Sequence, residues 1–153
     1  MKEELITMLK AGDKAPEFSL PAQDGKTYSL EDFADHTLIM FFYIKDNTPG
    51  WTSEAVSFRD NLETLEGFGA RVVGVSKDSL ESHKKFAEKY DLGYPLLADT
   101  EGELCKKFDV LNIAGIVKRS TFIIEKGEII KVFPKVKVAE HLEEIIEFFQ
   151  ERQ

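Results

Sequence analysis

The stretch from residue 37 to residue 65 most constrains how this chain can fold. Residues 37–43 are an almost unbroken apolar run, which predicts a buried strand. Residues 45–50 contain the Asp, Asn, Pro and Gly that are typical of loops, and residues 52–65 then read as a helix. A helix N-terminus after a strand and a short loop gathers backbone N–H groups, and its dipole favours negative charge. Such a place lowers the pKa of a cysteine thiol, but this chain has Trp51 there.

Length, composition and charge predict a globular protein with one domain over residues 1–153, in which residues 1–10 are a lead-in segment. The net charge of −8 argues against a nucleic-acid partner, because phosphate contacts need clustered Lys and Arg. No segment approaches the roughly 20 apolar residues of a membrane span, and the acidic N-terminus is unlike a secretory signal. The single cysteine, Cys105, cannot form an internal disulfide, which fits a reducing compartment. We therefore expect a cytoplasmic protein that does not bind membranes.

The rest of the chain alternates strand and helix patterns. Asp24-Gly25 predicts a hairpin near the N-terminus. Further apolar runs predict strands, whereas amphipathic and capping-box patterns predict helices. The predicted strands are 71–76, 96–98, 120–125 and 128–133, and the helices are 79–90 (Asp78 with Glu81), about 100–108 (Thr100 with Glu103) and 138–149. This order predicts an α/β fold, thioredoxin-like in outline, with a central mixed β-sheet flanked by helices and an N-terminal β-hairpin.

Several motifs spread along the chain resemble one protein family. They are residues 11–25, 42–43, 45–50 (Lys-Asp-Asn-Thr-Pro-Gly), 58–61, 74–76, 119–122 and 135–141. Their identity and order, over about residues 11–150, resemble the peroxiredoxins of the bacterioferritin comigratory protein or PrxQ type. The resemblance implies a thioredoxin-like fold and a thiol peroxidase that reduces hydrogen peroxide and alkyl hydroperoxides. It also implies a thioredoxin-type reductant as partner. We expect no cofactor or metal, because the sequence has no Gly-rich phosphate loop and no His/Cys cluster.

The resemblance assigns roles to residues around the predicted helix start. In that family a cysteine in a Pro-x-x-x-Thr-x-x-Cys loop attacks the peroxide and becomes a sulfenic acid. Here the motif's proline is Ile44, its threonine is Thr48 and its peroxidatic cysteine is Trp51. By resemblance Thr48 would hydrogen-bond the thiolate and the peroxide, and the family's catalytic arginine corresponds to Arg119, which would stabilise the developing charge. The threonine and the arginine of the family's site are therefore present in this sequence, but its nucleophilic cysteine is not.

The family's resolving cysteines are missing as well. The usual position, five residues after the peroxidatic one, is Val56, and the alternative position falls near Ala87. Tryptophan has an N–H donor and no usable lone pair, so we expect no peroxidase activity here. Because its ring is far larger than a thiol, we also expect it to fill the peroxide pocket. Because Ile44, Trp51 and Val56 depart from the pattern together, natural divergence is favoured over an engineered probe of the site.

Three functions stay open from the sequence. The chain is a thiol peroxidase by descent, which only Cys105 could now make active. Alternatively, it is a non-catalytic binding or regulatory module that acts through the loop around Trp51. A third hypothesis is a redox sensor in which Cys105 forms an intermolecular disulfide, although a small buried hydrophobe is the ordinary interpretation of such a cysteine. We expect a monomer or a weak dimer.

Other polar residues have ordinary structural interpretations. Arg119 is as well explained by a salt bridge, with Glu54 as its partner, as by a catalytic role. Asp46 and Asn47 are expected to shape the loop. The three histidines are far apart in sequence and lack metal-ligand spacing, so each is expected on the surface: His36, His83 and His141.

Overall fold

The computed structural model describes residues 8–153, except for the side chains of residues 138 and 139. Residues 1–7 of the predicted lead-in segment therefore lie outside the described residues. The strands are β1 (Ser19–Pro21), β2 (Thr27–Ser29), β3 (Thr37–Phe42), β4 (Ala70–Ser76), β5 (Leu96–Ala98), β6 (Ser120–Glu125) and β7 (Glu128–Phe133). The helices are α1 (Pro49–Asp60), α2 (Leu62–Gly67), α3 (Leu80–Tyr90), α4 (Glu103–Lys107) and α5 (Val138–Glu151), with a 3-10 turn at Leu30–Phe33.

The central sheet has five strands in the order β5-β4-β3-β6-β7, and β1 and β2 form a separate hairpin. Strands β3, β4 and β5 are parallel, whereas β6 and β7 are antiparallel to their neighbours. Phe42 at the end of β3 pairs with Val75 near the end of β4 and with Ser120 at the start of β6. The loops that follow β3, β4 and β5 and the loop that precedes β6 therefore share one edge of the sheet, which we call the C-terminal edge.

Both faces of β3 are buried, which explains why its sequence is a continuous apolar run. On one face, Ile39 and Phe41 pack in a cluster with residues of α1, α3 and α5. On the other, Met40 and Phe42 pack with residues of α4 and of the N-terminal region. The predicted mixed sheet flanked by helices, with its N-terminal hairpin, is confirmed.

The helix predicted from residue 52 begins earlier and is divided. It starts at Pro49, after the extended residue Thr48, because proline at the first helical position loses no hydrogen bond there. Trp51 therefore lies inside the first turn of α1. Asn61 leaves the helical conformation and its side-chain amide donates to the carbonyl of Ser57, and α2 begins at the next residue.

Two predicted capping boxes were wrong. Helix α3 is capped by the hydroxyl of Ser79 rather than by Asp78. Helix α4 starts after Gly102, and the carboxylate of Asp99, rather than Thr100, accepts the N–H groups of Leu104 and Cys105 in its first turn. Within residues 8–153, no helix is both long enough and apolar enough to cross a bilayer.

Candidate functional site

The sheet register brings the predicted site residues to the C-terminal edge. Residues 43–48 leave β3 and lead into α1, and Arg119 immediately precedes Ser120, which pairs with Phe42. Arg119 therefore stands beside the loop that precedes α1, although the two are far apart in sequence. In open α/β sheets, ligands bind outside the carboxyl ends of the parallel strands, which is the position of this site.

Trp51 fills the interior beneath the first turn of α1. Its side chain is 1% exposed, and its ring stacks on Tyr43 with centroids 3.8 Å apart and an interplanar angle of 13°. Phe41 packs against it at a tilt, at 5.1 Å. The indole Nε1–H has no hydrogen-bond partner among the described residues, an arrangement that costs roughly 1–3 kcal/mol of desolvation. Ring packing therefore stabilises Trp51 in this position, and the buried N–H without a hydrogen bond opposes it.

The hydroxyl of Thr48 is engaged within its loop, and Val56 lies on a different side of α1 from Trp51. The Thr48 hydroxyl donates to the carbonyl of Lys45 at 2.9 Å, so it is engaged within its own loop. Val56 is half-buried five residues after Trp51, which is about 140° around an α-helix. The side chains at the two positions that the resemblance assigns to cysteines therefore leave the helix in different directions.

Glu54 and Arg119 form the polar part of the site. Glu54 is 5% exposed, and its Oε2 has no hydrogen-bond partner among the described residues. Burial raises the pKa of this carboxyl to about 7, while the charge of Arg119 acts in the opposite direction. No ion pair within 4.0 Å joins Arg119 to a carboxylate among residues 8–153, so the salt bridge considered for it is not formed at contact distance. The site thus contains a buried carboxyl that titrates near neutral pH beside a guanidinium.

A buried polar network that the sequence interpretation missed supports the loop. Asp46 is 4% exposed, and its carboxylate accepts hydrogen bonds from Tyr43 Oη at 2.7 Å and Ser82 Oγ at 2.8 Å. The backbone N–H of Asp46 donates to Asp78 Oδ2 at 2.9 Å. His83, on the buried side of α3, lies 2.8 Å from Asp46 Oδ2. Through Tyr43, which stacks on Trp51, this network fixes the loop that leads into α1.

The geometry around His83 requires a proton between two buried groups. Its Nε2 is 3.0 Å from the carbonyl oxygen of Leu97, which only accepts, so Nε2 carries a hydrogen. Its Nδ1 faces the carboxylate of Asp46 at 2.8 Å, where the lone pairs of an unprotonated nitrogen and a carboxylate oxygen would repel each other. A hydrogen therefore lies between these two atoms. The pair is therefore an imidazolium beside a carboxylate, or a neutral imidazole beside a carboxylic acid, in a fully buried place.

The same residues are the closest approach to a metal-ligand set in the described part of the chain. Ligand atoms of Asp46, Asp78 and His83 lie within 4.8 Å of one another. However, Asp78 Oδ2 accepts from Ser76 Oγ at 2.6 Å, and the Asp46 carboxylate is already engaged by Tyr43, Ser82 and His83. The donor atoms are paired by hydrogen bonds, so this arrangement favours a proton over a metal ion.

The expectation of surface histidines was wrong for two of the three. His83 and His141 are both 0% exposed, whereas His36 is half-buried. His141 Nε2 lies 2.7 Å from Thr121 Oγ1, and its Nδ1 has no hydrogen-bond partner among the described residues, with Glu144 Oε1 3.9 Å away. Burial lowers the pKa of His141 to about 4. The signal for burial was present, because His83 and Phe86 share one side of α3 at a spacing of three.

Cys105 lies in the core, away from this site. Its side chain is 0% exposed and packs in the cluster on the other face of the sheet. Burial and the neighbouring Asp99 raise the pKa of its thiol well above the usual range. A buried, protonated thiol is neither a good nucleophile nor accessible to a second protein.

The sequence model of the AhpC/TSA family matches residues 11–133 of this chain. The chain belongs to this family. It is 41% identical to the putative peroxiredoxin Bcp of Coxiella burnetii over 146 residues, which cover 90% of this chain and 97% of that protein. It is 40% identical to peroxiredoxin Bcp of Bacillus subtilis over 147 residues, which cover 91% of this chain and 94% of that protein. The resemblance to Bcp and PrxQ peroxiredoxins is thereby confirmed.

Solved structures of peroxiredoxins show the same fold. Peroxidoxin BcpB from Mycobacterium tuberculosis matches with a TM-score of 0.88 at 32% identity, over 95% of this chain and 99% of that one. Peroxiredoxin Q from Xanthomonas campestris, as a cysteine-to-serine mutant, matches with a TM-score of 0.87 at 32% identity, over 95% of this chain and 100% of that one. This peroxiredoxin-family chain therefore has the thioredoxin-like α/β fold predicted from its sequence.

Proposed function

We propose that this chain is a peroxiredoxin by descent that has lost peroxidase activity at the usual site and acts by binding. The observation that carries the proposal is the buried ring of Trp51, stacked on Tyr43 at the start of α1. The ring takes up the space in which a thiolate and a peroxide would meet. A site whose nucleophile is replaced by a packed aromatic ring has nothing that can be oxidised reversibly.

The chemistry of peroxide reduction supports this proposal. A thiolate attacks one peroxide oxygen, the S–O bond forms as the O–O bond breaks, and the departing oxygen takes up a proton as water or an alcohol. The nitrogen lone pair of Trp51 belongs to the aromatic system and is unavailable. Arg119 and Glu54 would bind and polarise a reactant in such a step, but neither supplies electrons.

The alternatives based on Cys105 are not favoured. Its thiol is buried and its pKa is raised, so neither peroxide turnover nor an intermolecular disulfide is expected from it. Nor is Trp51 available as a contact for a partner, since its side chain is 1% exposed. The single domain over residues 1–153, the cytoplasmic location, the monomeric or weakly dimeric state and a thioredoxin-type partner stay predictions.

The test compares hydrogen peroxide consumption, with dithiothreitol as reductant, by the native chain and by Trp51→Cys. In the variant, attack on peroxide gives a sulfenic acid and water. One dithiothreitol molecule then returns the sulfenic acid to the thiol as its own two thiols become a disulfide and a second water is released. We expect no consumption above background by the native chain and measurable turnover by the variant.

Trp51→Ser is the matched control, because it opens the same space without supplying sulfur. Peroxide-dependent addition of one oxygen atom to residue 51 of Trp51→Cys, detected by mass spectrometry, would locate the reaction. Turnover by the native chain that is lost in Cys105→Ser would overturn the proposal and identify Cys105 as the nucleophile.

A further inference from the structure

The large hydrophobic side chains that are exposed in the described part of the chain lie together at the C-terminal edge of the sheet. They come from the loop after β3, from the first residue of α3, which follows the loop after β4, and from the loop before β6: Ile44, Leu80, Ile113 and Ile116. Ile113 is 107% exposed, which means that nothing covers it. Single exposed hydrophobic residues are ordinary, but a group confined to one end of a protein marks an interaction surface.

Hydrogen bonds join the three loops side by side. The backbone N–H of Asp46, in the loop of Ile44, donates to Asp78, which precedes α3 by two residues. The ammonium of Lys77 donates to the carbonyl of Gly115 at 3.2 Å, in the loop of Ile113 and Ile116. The exposed aliphatic residues therefore belong to one surface, which we call the apolar patch.

The loop that presents Ile113 is internally braced. The side-chain oxygen of Asn112 accepts hydrogen bonds from the N–H groups of Ala114 at 2.8 Å and Ile116 at 3.0 Å. A β-bridge between Leu111 and Val117 closes the base of the loop. The backbone conformation around Ile113 is thus fixed by its own loop, which keeps this side chain at the tip.

Most of the charged side chains that these loops bring to the surface beside the apolar patch are positive. Lys45 and Lys77 are exposed and Lys118 is half-buried, so the cations of these loops reach the surface. Of the three acidic residues in these loops, Asp46 and Asp78 accept hydrogen bonds from within the protein, and the exposed Asp109 lies before the Leu111–Val117 bridge that closes the base of its loop. On a chain with a net charge of −8, the surroundings of the apolar patch are therefore locally positive. Such a surface complements a partner that carries carboxylates.

We propose that the apolar patch binds an extended protein segment in which aliphatic side chains alternate with Asp or Glu. The aliphatic side chains pack against Ile113 and its neighbours, and the carboxylates face Lys45, Lys77 and Lys118. This inference gives the proposed binding role its surface and ligand class. The apolar patch includes neither Trp51 nor Cys105, so the two proposals are tested independently. Peroxide turnover by the native chain would refute the loss of catalysis, and it would not bear on binding at the apolar patch.

The test is selection of a random peptide display library on the native chain. A synthetic copy of the most enriched peptide is then measured by fluorescence anisotropy. We expect enriched sequences that combine Asp or Glu with Leu, Ile or Val, and affinity that falls as salt is raised, because the charges are exposed to solvent. Ile113→Ser and Lys45→Glu should each weaken binding roughly tenfold, as loss of an interface anchor does.

Lys26→Glu is the matched control for charge. It makes the same change in the hairpin turn whose Gln23 binds the start of β5, at the opposite end of the sheet, and should leave the affinity unchanged. Failure of the library to yield a binder, binders without carboxylates, or equal binding to Ile113→Ser would each overturn the proposal. Self-association of the native chain that Ile113→Ser abolishes would also overturn it, since the patch would then serve a second copy.

Discussion

Replacing Glu54 by glutamine should abolish a pH dependence of stability that originates in one buried carboxyl. Burial raises the pKa of Glu54 from 4.5 to about 7. Between these pH values the folded protein keeps a proton that the unfolded chain releases. Folding is therefore penalised progressively as the pH rises through this window, and the penalty is complete above pH 7. Below pH 4.5 the carboxyl is protonated in both states and imposes no penalty.

The difference between the two pKa values corresponds to about 3 kcal/mol. Glutamine has nearly the same shape and no charge, so Glu54→Gln should gain about 3 kcal/mol over the native chain between pH 4.5 and pH 8. The quantity to measure is how the difference in unfolding free energy between the two proteins changes with pH. Any constant effect of the amide on packing cancels in that comparison.

Urea unfolding, followed by the fluorescence of the single tryptophan, measures this free energy at each pH. Glu143→Gln, a change at an exposed carboxyl of α5, should give a difference that stays nearly flat over the same range. A flat difference for Glu54→Gln as well would refute the argument, since it would mean that the folded protein ionises this carboxyl as easily as the unfolded chain does.

Three further outcomes follow from buried groups. Burial lowers the pKa of His141 from 6.5 to about 4, so this side chain stays neutral in the folded protein. Stability should therefore fall by up to about 3 kcal/mol as the pH drops through that window. The loss should be visible in the Glu54→Gln variant and absent in the double variant that also carries His141→Gln. Trp51→Ala should cost about 3–5 kcal/mol by leaving a cavity beside Tyr43, measured by urea unfolding with far-UV circular dichroism, and a cost under 1 kcal/mol would show that the ring is dispensable. His83→Ala should cost about 3–5 kcal/mol, since it removes the imidazole from the buried carboxylate of Asp46 and leaves only the Tyr43 and Ser82 hydroxyls there, whereas the exposed neighbour Lys84→Ala should change the thermal midpoint little.

Elements that are determined by residues close together in the sequence were predicted well. The hairpin of β6 and β7 has the bounds expected from its apolar runs, because Lys126 and Gly127 both adopt the positive φ angles that a tight hairpin turn needs. The start of α1 was misplaced by three residues, since Pro49 and Gly50 were read as loop formers. Proline at the first position of a helix is compatible with both interpretations until the backbone is seen.

The hydrogen-bond partners of the buried polar residues could not be predicted from local pattern. The hydrogen-bond partners of His83 lie on β5 and in the loop after β3, and no residue next to it in the sequence indicates either contact. Glu54 was considered as a salt-bridge partner of Arg119, but its burial and its raised pKa depend on packing around α1. Long-range contacts decide whether a polar residue is solvated, and a single sequence does not contain them.

The position of Trp51 in the first turn of α1 also has a genetic consequence. Codons for tryptophan and cysteine differ by one base, so a thiol at this position is a single point mutation away. It would appear in the first turn of a helix, with Arg119 nearby, a setting that favours a thiolate. Populations that carry this gene therefore sample cysteine at position 51 continually, and persistence of tryptophan would record selection against it.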